Sequence, residues 1–269
     1  MTIQKRLLGF GAFTASLLLA GSAVAGTVTL TYYPNSDADG NTAGNTTTSA
    51  PGYGTSSWQA NDTTTGGKSE FYVAATVLFP ADTVTIDDIA SISYWTNKPG
   101  TSGAPDWGLN IYTAPEGSGN EASWYHTRLN SEPYFTNTSS ANDVSNTWHQ
   151  WSTGNATNPM LFYDVGRDGG LYGTYADPTL AELQAGSINW PSGQSGVNYG
   201  LDVVNLFSLQ TGSAWADGFT GLVDGLTITL TNGDQANVNL EATPEPSTWL
   251  LLLTGLAGVA FFVRRRQTA

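Results

Sequence analysis

The acidic residues that could catalyse a hydrolysis show no spaced motif. Glycoside hydrolysis requires two carboxylates that face each other across the bond to be cleaved. The candidate glutamates are Glu70, Glu116, Glu121 and Glu132. Because nothing in their spacing singles out a pair, the sequence predicts no hydrolase site.

Histidine and serine give no catalytic motif either. His126 and His149 are too few for a zinc site made of histidines alone, and neither lies in H-E-x-x-H. SGQSG at 192–196 comes nearest to a nucleophile elbow, but no histidine follows it as a general base. We therefore expect no catalytic residues. A lyase site built from Tyr, His and Arg would leave no compact motif, and WYHTRL at 124–129 could contribute to one.

One run of oxygen-bearing side chains matches half of a calcium-binding loop. Asn35, Asp37 and Asp39 alternate along the chain, and Gly40 follows as the turn glycine. Thr46 occupies the position of the closing bidentate glutamate. The pattern therefore predicts either a structural calcium ion or a solvated loop, since turn chemistry alone often produces D-x-D-G. No other cofactor is expected.

Asp224 is an acid inside an otherwise apolar strand, GLVDGLTI at 221–228. Two roles fit such a residue. It could bind a structural cation, or its carboxylate could accept backbone hydrogen bonds at the end of a strand. We favour the second role.

Tryptophan is the most informative residue type. Indoles of a β-rich domain either fill the core or stack on sugar rings. Trp95 shares one strand face with Ser91 and Ser93, so we expect it to point to solvent or to line a groove. Trp148 and Trp151 are three residues apart, so at most one of them points into the core of a regular sheet.

Tyr112 completes the candidate carbohydrate site. It lies on the strand face opposite Leu109 and Ile111, so we expect it near the outward tryptophans. The residues predicted to bind carbohydrate are Trp95, Tyr112, Trp148 and Trp151. The alternative is that every tryptophan packs in the core or lies singly at the surface.

The segment 26–242 is rich in Gly, Thr, Ser and Asn and poor in Lys and Glu, which favours strands and turns over helices. Alternating apolar residues predict strands in FYVAATVLF (71–79) and DWGLNIYT (106–113). LTITLTNGDQANVNL (226–240) predicts a hairpin around Asn-Gly. The residues predicted to be buried are Phe71, Val73, Val77, Trp107, Leu109, Ile111, Leu226, Ile228 and Leu230.

Two features interrupt the strands. Residues 34–67 contain few apolar residues and predict a long flexible loop. ADPTLAELQAGS predicts a short helix, with Asp177 as N-cap, Pro178 at the first position and Gly186 as C-cap.

VVNLFSLQ (203–210) is apolar on both faces, as in a central strand.

These elements fit one all-β domain, a two-sheet jelly-roll (concanavalin-like) β-sandwich with one short helix. The segment NLFSLQTGSAWADGFTGLVDGLTI (205–228) is similar to the last strands of lectin-like, carbohydrate-binding sandwiches.

The charge excludes some partners. All 22 acidic residues lie within 26–246, where only four basic residues remain, giving a formal charge of −18. Such a charge repels nucleic acid and anionic lipid.

The chain has no cysteine, so an apolar core must stabilise the fold without disulfides.

The N-terminus reads as a signal peptide over residues 1–25. Lys5 and Arg6 precede an apolar run, and Ala23 and Ala25 have the spacing that a signal peptidase requires. We therefore expect Sec-type export and cleavage after Ala25.

The C-terminus carries a second signal, in residues 243–269. Pro244, Glu245 and Pro246 precede an apolar stretch, 247–263, whose 17 residues are just long enough for a transmembrane helix. The basic cluster of Arg264, Arg265 and Arg266 follows, which would keep this end cytoplasmic and the domain outside.

This arrangement resembles the PEP-CTERM sorting signal. The resemblance implies an exosortase as partner, in a Gram-negative bacterium with an extracellular polysaccharide matrix. It also implies transient anchoring in the inner membrane, then cleavage near the PEP motif and release or attachment at the cell surface. The alternative is a permanent tail anchor.

Two hypotheses for the domain remain, with a third behind them. It binds extracellular polysaccharide without cleaving it, or it is a structural or adhesive surface protein without a small-molecule site. The third hypothesis is a polysaccharide lyase or hydrolase, which His126, Arg128 and a Tyr or Glu converging in one groove would favour.

The two signals predict the ends of the mature protein. We expect it to begin at Gly26 and to end near the PEP motif, because both terminal segments are removed during export and sorting. Intact-mass measurement of the protein from its native host checks this. A full-length chain that retains Arg264 to Arg266 would instead mean a permanent anchor.

Overall fold

The computed structural model describes residues 25–34, 41–62, 68–99, 106–114, 128–133, 146–164, 176–190, 195–212 and 218–242. Within these residues two short α-helices form, α1 (Ala75–Leu78) and α2 (Leu180–Ala185), with a 3-10 helix at Ile86–Asp88. The described strands are β1 (Thr27–Tyr32), β2 (Thr42–Asn45), β3 (Ser57–Ala60), β4 (Glu70–Ala74), β5 (Ile89–Asn97), β6 (Gly108–Ala114), β7 (Arg128–Ser131), β8 (His149–Ser152), β9 (Tyr163–Asp164), β10 (Ser187–Ile188), β11 (Val197–Asn198), β12 (Val203–Gln210), β13 (Leu222–Leu230) and β14 (Gln235–Leu240).

The larger sheet has seven strands and is organised around β13. Along one edge, β13 pairs with β5, which in turn pairs with β8. Along the other edge, β13 pairs with β3 over 222–223 and with β14 over 226–229. β14 pairs in parallel with β1, and β3 pairs with β2. β13 therefore connects all the other strands of this sheet.

The smaller sheet has five antiparallel strands in the order β4-β12-β6-β7-β9. β12 lies between β4 and β6, which confirms its prediction as a central strand. One of its faces carries Phe207 and Leu209 into the core, and the other carries Ser208 and Gln210. β10 and β11 form a separate pair.

The apolar core lies between the two sheets. Trp58 of β3 and Phe71 of β4 meet edge to face, with ring centroids 5.5 Å apart. Trp107 Nε1 donates to Gly221 O at 2.8 Å, and the Tyr94 hydroxyl donates to Trp107 O at 2.9 Å. Eight predicted core residues are buried: Phe71, Val73, Trp107, Leu109, Ile111, Leu226, Ile228 and Leu230. The prediction of an all-β sandwich is confirmed.

The strand predicted over 71–79 ends early. β4 stops at Ala74, and Ala75–Leu78 forms α1, a helix that was not predicted. Residues three apart share one side of a helix, so Ala75 and Leu78 face the core while Val77 is 49% exposed. The prediction that Val77 is buried is wrong.

The long loop predicted over 34–67 contains two strands. β2 and β3 pair with each other, and β3 also pairs with β13. Trp58 and Ala60 of β3 are fully buried, and these two side chains anchor the strand to the core. The prediction of one continuous loop is therefore wrong for the described residues 41–62.

The helix α2 begins later than predicted. Thr179, not Asp177, is the N-cap, because the side chains of Thr179 and Glu182 each accept the other's backbone N–H. Pro178 precedes the helix instead of opening it. Gly186 is the C-cap, as predicted, with a φ of 146°.

The core burial predicts the cost of truncation. We expect Leu109→Ala and Ile228→Ala each to lower the free energy of unfolding by about 2 to 5 kcal/mol, because each leaves a cavity between the sheets. Val77→Ala is the matched control and should change it by less than about 0.5 kcal/mol. Urea unfolding followed by tryptophan fluorescence measures all three, and equal effects would contradict the assignment of the core.

Candidate functional site

Trp95 lies on the outer face of the seven-stranded sheet. Along β5, Ile92, Tyr94 and Thr96 are buried, whereas Ser93 and Trp95 alternate with them and are half-buried. The alternation places the Trp95 indole away from the core, as the sequence predicted.

A second indole lies on the same face. In the pairing of β5 with β8, Trp95 is opposite Gln150. Trp148 precedes Gln150 by two residues, so it occupies the same face at a diagonal position, about 7 to 8 Å away between Cβ atoms. Trp148 is half-buried, and its Nε1 donates to Thr48 Oγ1 at 3.1 Å. This hydrogen bond fixes the orientation of the indole.

The neighbours of the two indoles are polar. On the β13 side, Trp95 is opposite Asp224, whose carboxyl accepts hydrogen bonds from three backbone N–H groups. Gln150 is exposed, and its Nε2 donates to Ser93 Oγ at 3.4 Å. Asn97, at the end of β5, is half-buried. Aromatic rings beside amides and hydroxyls can stack on a sugar ring while hydrogen-bonding to its hydroxyl groups.

Trp151 does not belong to this face. It is 3% exposed, and its Nε1 donates to Thr96 Oγ1 at 2.8 Å inside the sandwich. Its ring contacts His149, with centroids 4.3 Å apart. The prediction that Trp148 and Trp151 point to opposite faces is confirmed, and Trp148 is the outward one. The assignment of Trp151 to the carbohydrate site is wrong.

Tyr112 lies far from Trp95. It belongs to β6 in the five-stranded sheet, is 2% exposed, and accepts a hydrogen bond from Gln210 Nε2 at 2.9 Å. Its side chain does point away from Leu109 and Ile111, as the alternation predicted. The expectation that it neighbours Trp95 is wrong, because the two strands lie in different sheets.

Asp224 lies where β13 changes partner from β3 to β14. Gly225, with a φ of 63°, forms a bulge at this point. Asp224 Oδ1 accepts from Gly225 N at 2.8 Å and from Leu240 N at 3.1 Å, and Oδ2 accepts from Ala50 N at 3.0 Å. Of the two predicted roles, the structure shows the acceptor of backbone hydrogen bonds.

The pKa values of Asp224 and Glu241 shift in opposite directions. Burial raises the pKa of the Asp224 carboxyl to about 7, against the effect of its three N–H donors, and the nearby Glu241 carboxylate raises it further. Burial also acts to raise the pKa of Glu241, but hydrogen bonds from Ser56, Asn239 and Thr55 outweigh it and lower that pKa.

Both carboxylates hold the loop 46–56 against the outer face. Glu241 accepts from Thr55 N at 3.1 Å and from the Ser56 hydroxyl. A Cβ on Gly225 would come within 2.5 Å of the Tyr53 ring, so the bulge requires glycine there. The same loop supplies Thr48 to Trp148, a residue that sequence reasoning missed because 100 positions separate the two.

The predicted calcium ligands Asn35, Asp37 and Asp39 lie outside the described residues. Among the residues that are described, no group of three or more His, Asp or Glu side chains could hold a metal ion. Asp224, the remaining candidate, is occupied by the three backbone donors.

Much of the two terminal signals also lies outside the described residues. These parts comprise residues 1–24, including Ala23, and residues 243–269, including Pro244 to Pro246, the predicted helix 247–263 and Arg264 to Arg266. Ala25 and Gly26, on either side of the predicted cleavage point, are exposed. In the described ranges no helix has both the length and the apolar character needed to cross a membrane.

Comparison with known proteins identifies the C-terminal signal. Residues 242–266 match the PEP-CTERM protein-sorting motif. No curated protein and no solved structure matches the chain. The chain is thus an all-β protein with a PEP-CTERM motif, which marks it as exported, directed to the cell surface and processed by an exosortase.

The raised pKa of Asp224 predicts a pH dependence of stability. A raised folded-state pKa means that stability is fully present below the ordinary value of 3.8 and is lost as pH rises through about 7. We therefore expect the difference in unfolding free energy, wild type minus Asp224→Asn, to fall between about pH 4 and pH 7.

Urea unfolding of the full chain across this range measures that difference. Asp87→Asn, at an exposed aspartate, is the matched control and should keep the slope of the wild type. If the difference between wild type and Asp224→Asn is independent of pH, or grows as pH rises, the pKa of Asp224 is not raised in the folded protein.

Proposed function

We propose that the exported domain binds polysaccharide of the bacterium's own extracellular matrix through Trp95 and Trp148, and does not cleave it. The observation that carries the proposal is the placement of two half-buried indoles on one outer face, Trp95 on β5 and Trp148 immediately before the neighbouring strand β8. In the same proposal the host is a Gram-negative bacterium, and the tail anchors the chain in the inner membrane until the exosortase acts.

The energetics of the indoles support a ligand. The fold can bury tryptophan, since four described tryptophans lie in the interior: Trp58, Trp107, Trp151 and Trp190. Trp95 and Trp148 remain partly in water and forgo part of the roughly 1.5 to 3 kcal/mol that burying a large apolar side chain contributes. A stacked sugar ring would recover part of it.

The polar groups around the indoles support hydrogen bonding to a sugar. Gln150, Asn97 and Ser93 offer amide and hydroxyl groups, and Thr48 holds the Trp148 ring in place. The Asp224 carboxyl opposite Trp95 is already engaged by three backbone N–H groups. A ring fixed before binding loses less conformational entropy when the ligand arrives. The face therefore suits a sugar surface with alternating C–H patches and hydroxyl groups.

The alternative is a structural or adhesive surface protein that uses no small-molecule site. In that case the two indoles are ordinary surface residues, which need no ligand to explain them. Binding of polysaccharide by the wild-type protein separates the two functions.

Removal of either indole should weaken binding. We expect Trp95→Ala and Trp148→Ala each to reduce affinity for the host's extracellular polysaccharide about tenfold, which corresponds to about 1.4 kcal/mol of lost stacking. The measurement is co-sedimentation of the full chain with the polymer, in a detergent without a sugar headgroup. Tyr33→Ala is the control, because Tyr33 is 45% exposed and follows β1, three strands away from β5.

Each other outcome has a defined meaning. Equal binding by wild type and both tryptophan variants would place the site elsewhere. Absence of binding by the wild type would favour the structural or adhesive function. Shortening of the polymer during incubation would show that the protein is a lyase or a hydrolase.

A further inference from the structure

Strand β1 forms an exposed edge of the seven-stranded sheet. It pairs with β14 at every position from Thr27, opposite Gln235, to Tyr32, opposite Leu240, without a shift of register. In the described part of the chain, β14 is the only strand that pairs with β1. One long side of β1 is therefore open to a further strand.

β1 lacks the features that usually keep a sheet edge from pairing with another chain. Edges are commonly protected by short strands, charged side chains, proline or a bulge. The six residues of β1, TVTLTY, contain neither charge nor proline. The other described edges of the same sheet, β2 and β8, have four residues each, and β4 at the edge of the five-stranded sheet carries Glu70.

The backbone of β1 points alternate residues toward the open side. Gln235 N donates to Gly26 O at 2.8 Å, and Glu241 N donates to Tyr32 O at 2.9 Å, so the even-numbered residues bond to β14. The residues between them point their N–H and C=O groups the opposite way. The groups on the open side belong to three exposed threonines, Thr27, Thr29 and Thr31.

The side chains of β1 leave apolar surface at this edge. Val28, Leu30 and Tyr32 share the face opposite the threonines. Leu30 and Tyr32 pack against the core, and the Tyr32 ring meets the Phe71 ring edge to face, with centroids 5.1 Å apart. All three apolar residues are only half-buried. A strand added at the open side would cover them further, which favours its binding.

A second copy of β1 is complementary to this edge. In an antiparallel pair centred on Thr29, this residue lies opposite its own equivalent, and Thr27 lies opposite Thr31 of the second copy. Each of these pairs exchanges two backbone hydrogen bonds, so all outward N–H and C=O groups of the three threonines find partners. Val28 then lies opposite Leu30 of the second copy, on the core side.

We propose that two copies of this chain pair through β1, antiparallel and about a two-fold axis at Thr29, and so join their seven-stranded sheets into one. Residues directly opposite each other in a sheet share a face, so the outer faces of both copies lie on the same side. The proposal goes beyond the proposed function and requires no carbohydrate ligand.

The charge of the protein limits the strength of this dimer. Residues 26–246 carry a formal charge of −18, so two copies repel each other at a distance. β1 itself is uncharged, so the paired strands place no like charges opposite each other. We therefore expect a weak dimer that dissociates on dilution.

Charged substitutions at Thr29 test the dimer and its register. Thr29→Lys and Thr29→Glu each place two like charges opposite each other across the axis, so each should raise the dissociation constant of the dimer at least about fivefold. An equimolar mixture of the two variants should dimerise at least as tightly as wild type, because opposite charges then meet.

The measurement is size-exclusion chromatography of the full chain in detergent, with light scattering that separates protein mass from detergent mass. Wild type, each variant and the mixture are compared from micromolar to millimolar concentration, in about 0.15 M salt, which screens the acidic surfaces beyond about 8 Å.

Thr157→Lys is the matched control. It makes the same exchange at an exposed turn after β8, at the opposite end of the sheet, and should dimerise as wild type does. Far-ultraviolet circular dichroism checks that the Thr29 variants stay folded. If either is misfolded, a mixture of Thr27→Lys with Thr31→Glu decides the test, because these positions also meet across the axis and should dimerise more tightly than wild type.

Four results would overturn the proposal. The first is a wild-type protein that stays monomeric at every concentration, and the second is a dimer that Thr29→Lys leaves unchanged, which would place the contact elsewhere, including the C-terminal segment. The third is a mixture of the Thr29 variants that fails to dimerise. The fourth is rescue of Thr29→Lys by Thr31→Glu instead of Thr29→Glu, which would move the axis to Leu30.

Failure of the dimer is separate from failure of the proposed function. Trp95→Ala should dimerise as wild type does, since Trp95 lies on β5 and not at the β1 edge. Loss of polysaccharide binding in that variant would therefore leave the dimer intact.

Discussion

The seven-stranded sheet depends on the Asp224 carboxylate. At this residue β13 has β3 on one part of its edge and β14 on the other, so the ladder of backbone hydrogen bonds is interrupted. The N–H groups of Gly225, Leu240 and Ala50 would lack partners there, and Asp224 accepts from all three. In a chain without cysteine, this one side chain links β13, β14 and the loop before β3.

The same point of the sheet also arranges the outer surface. The bulge at Gly225 returns Leu226, Ile228 and Leu230 to the core side after Val223. The loop held by Asp224 and Glu241 then brings Thr48 to Trp148. The two outer faces of the sandwich thus differ in kind. One presents indoles to water, and the other encloses amides, phenols and carboxylates.

Local alternation predicted much of this structure from sequence. It identified the core residues of β6 and β13 and the outward direction of Trp95, because each depends only on strand parity. It failed at Val77, where a short helix replaces the end of a strand. It also failed at β2 and β3, because each is only four residues long and both lie in a segment rich in Gly, Ser and Thr. The surroundings of Asp224 and Tyr112 depend on contacts between segments that are far apart in sequence, with Ala50 lying 174 positions from Asp224 and Gln210 lying 98 positions from Tyr112. No local pattern contains that information.

The parallel pairing of β1 with β14 joins the first described strand to the last, with Thr27 opposite Gln235 and Tyr32 opposite Leu240. A chain that crosses a membrane from its N-terminus delivers β1 first and β14 last. β1 therefore cannot pair with β14 until that strand has crossed, and strand pairings between segments so far apart in sequence form slowly. The sheet closes only after the residues just before the sorting motif have crossed. Completion of the fold and emergence of the sorting motif thus coincide, and a chain cut short before Leu240 lacks both a complete sheet and the sorting motif.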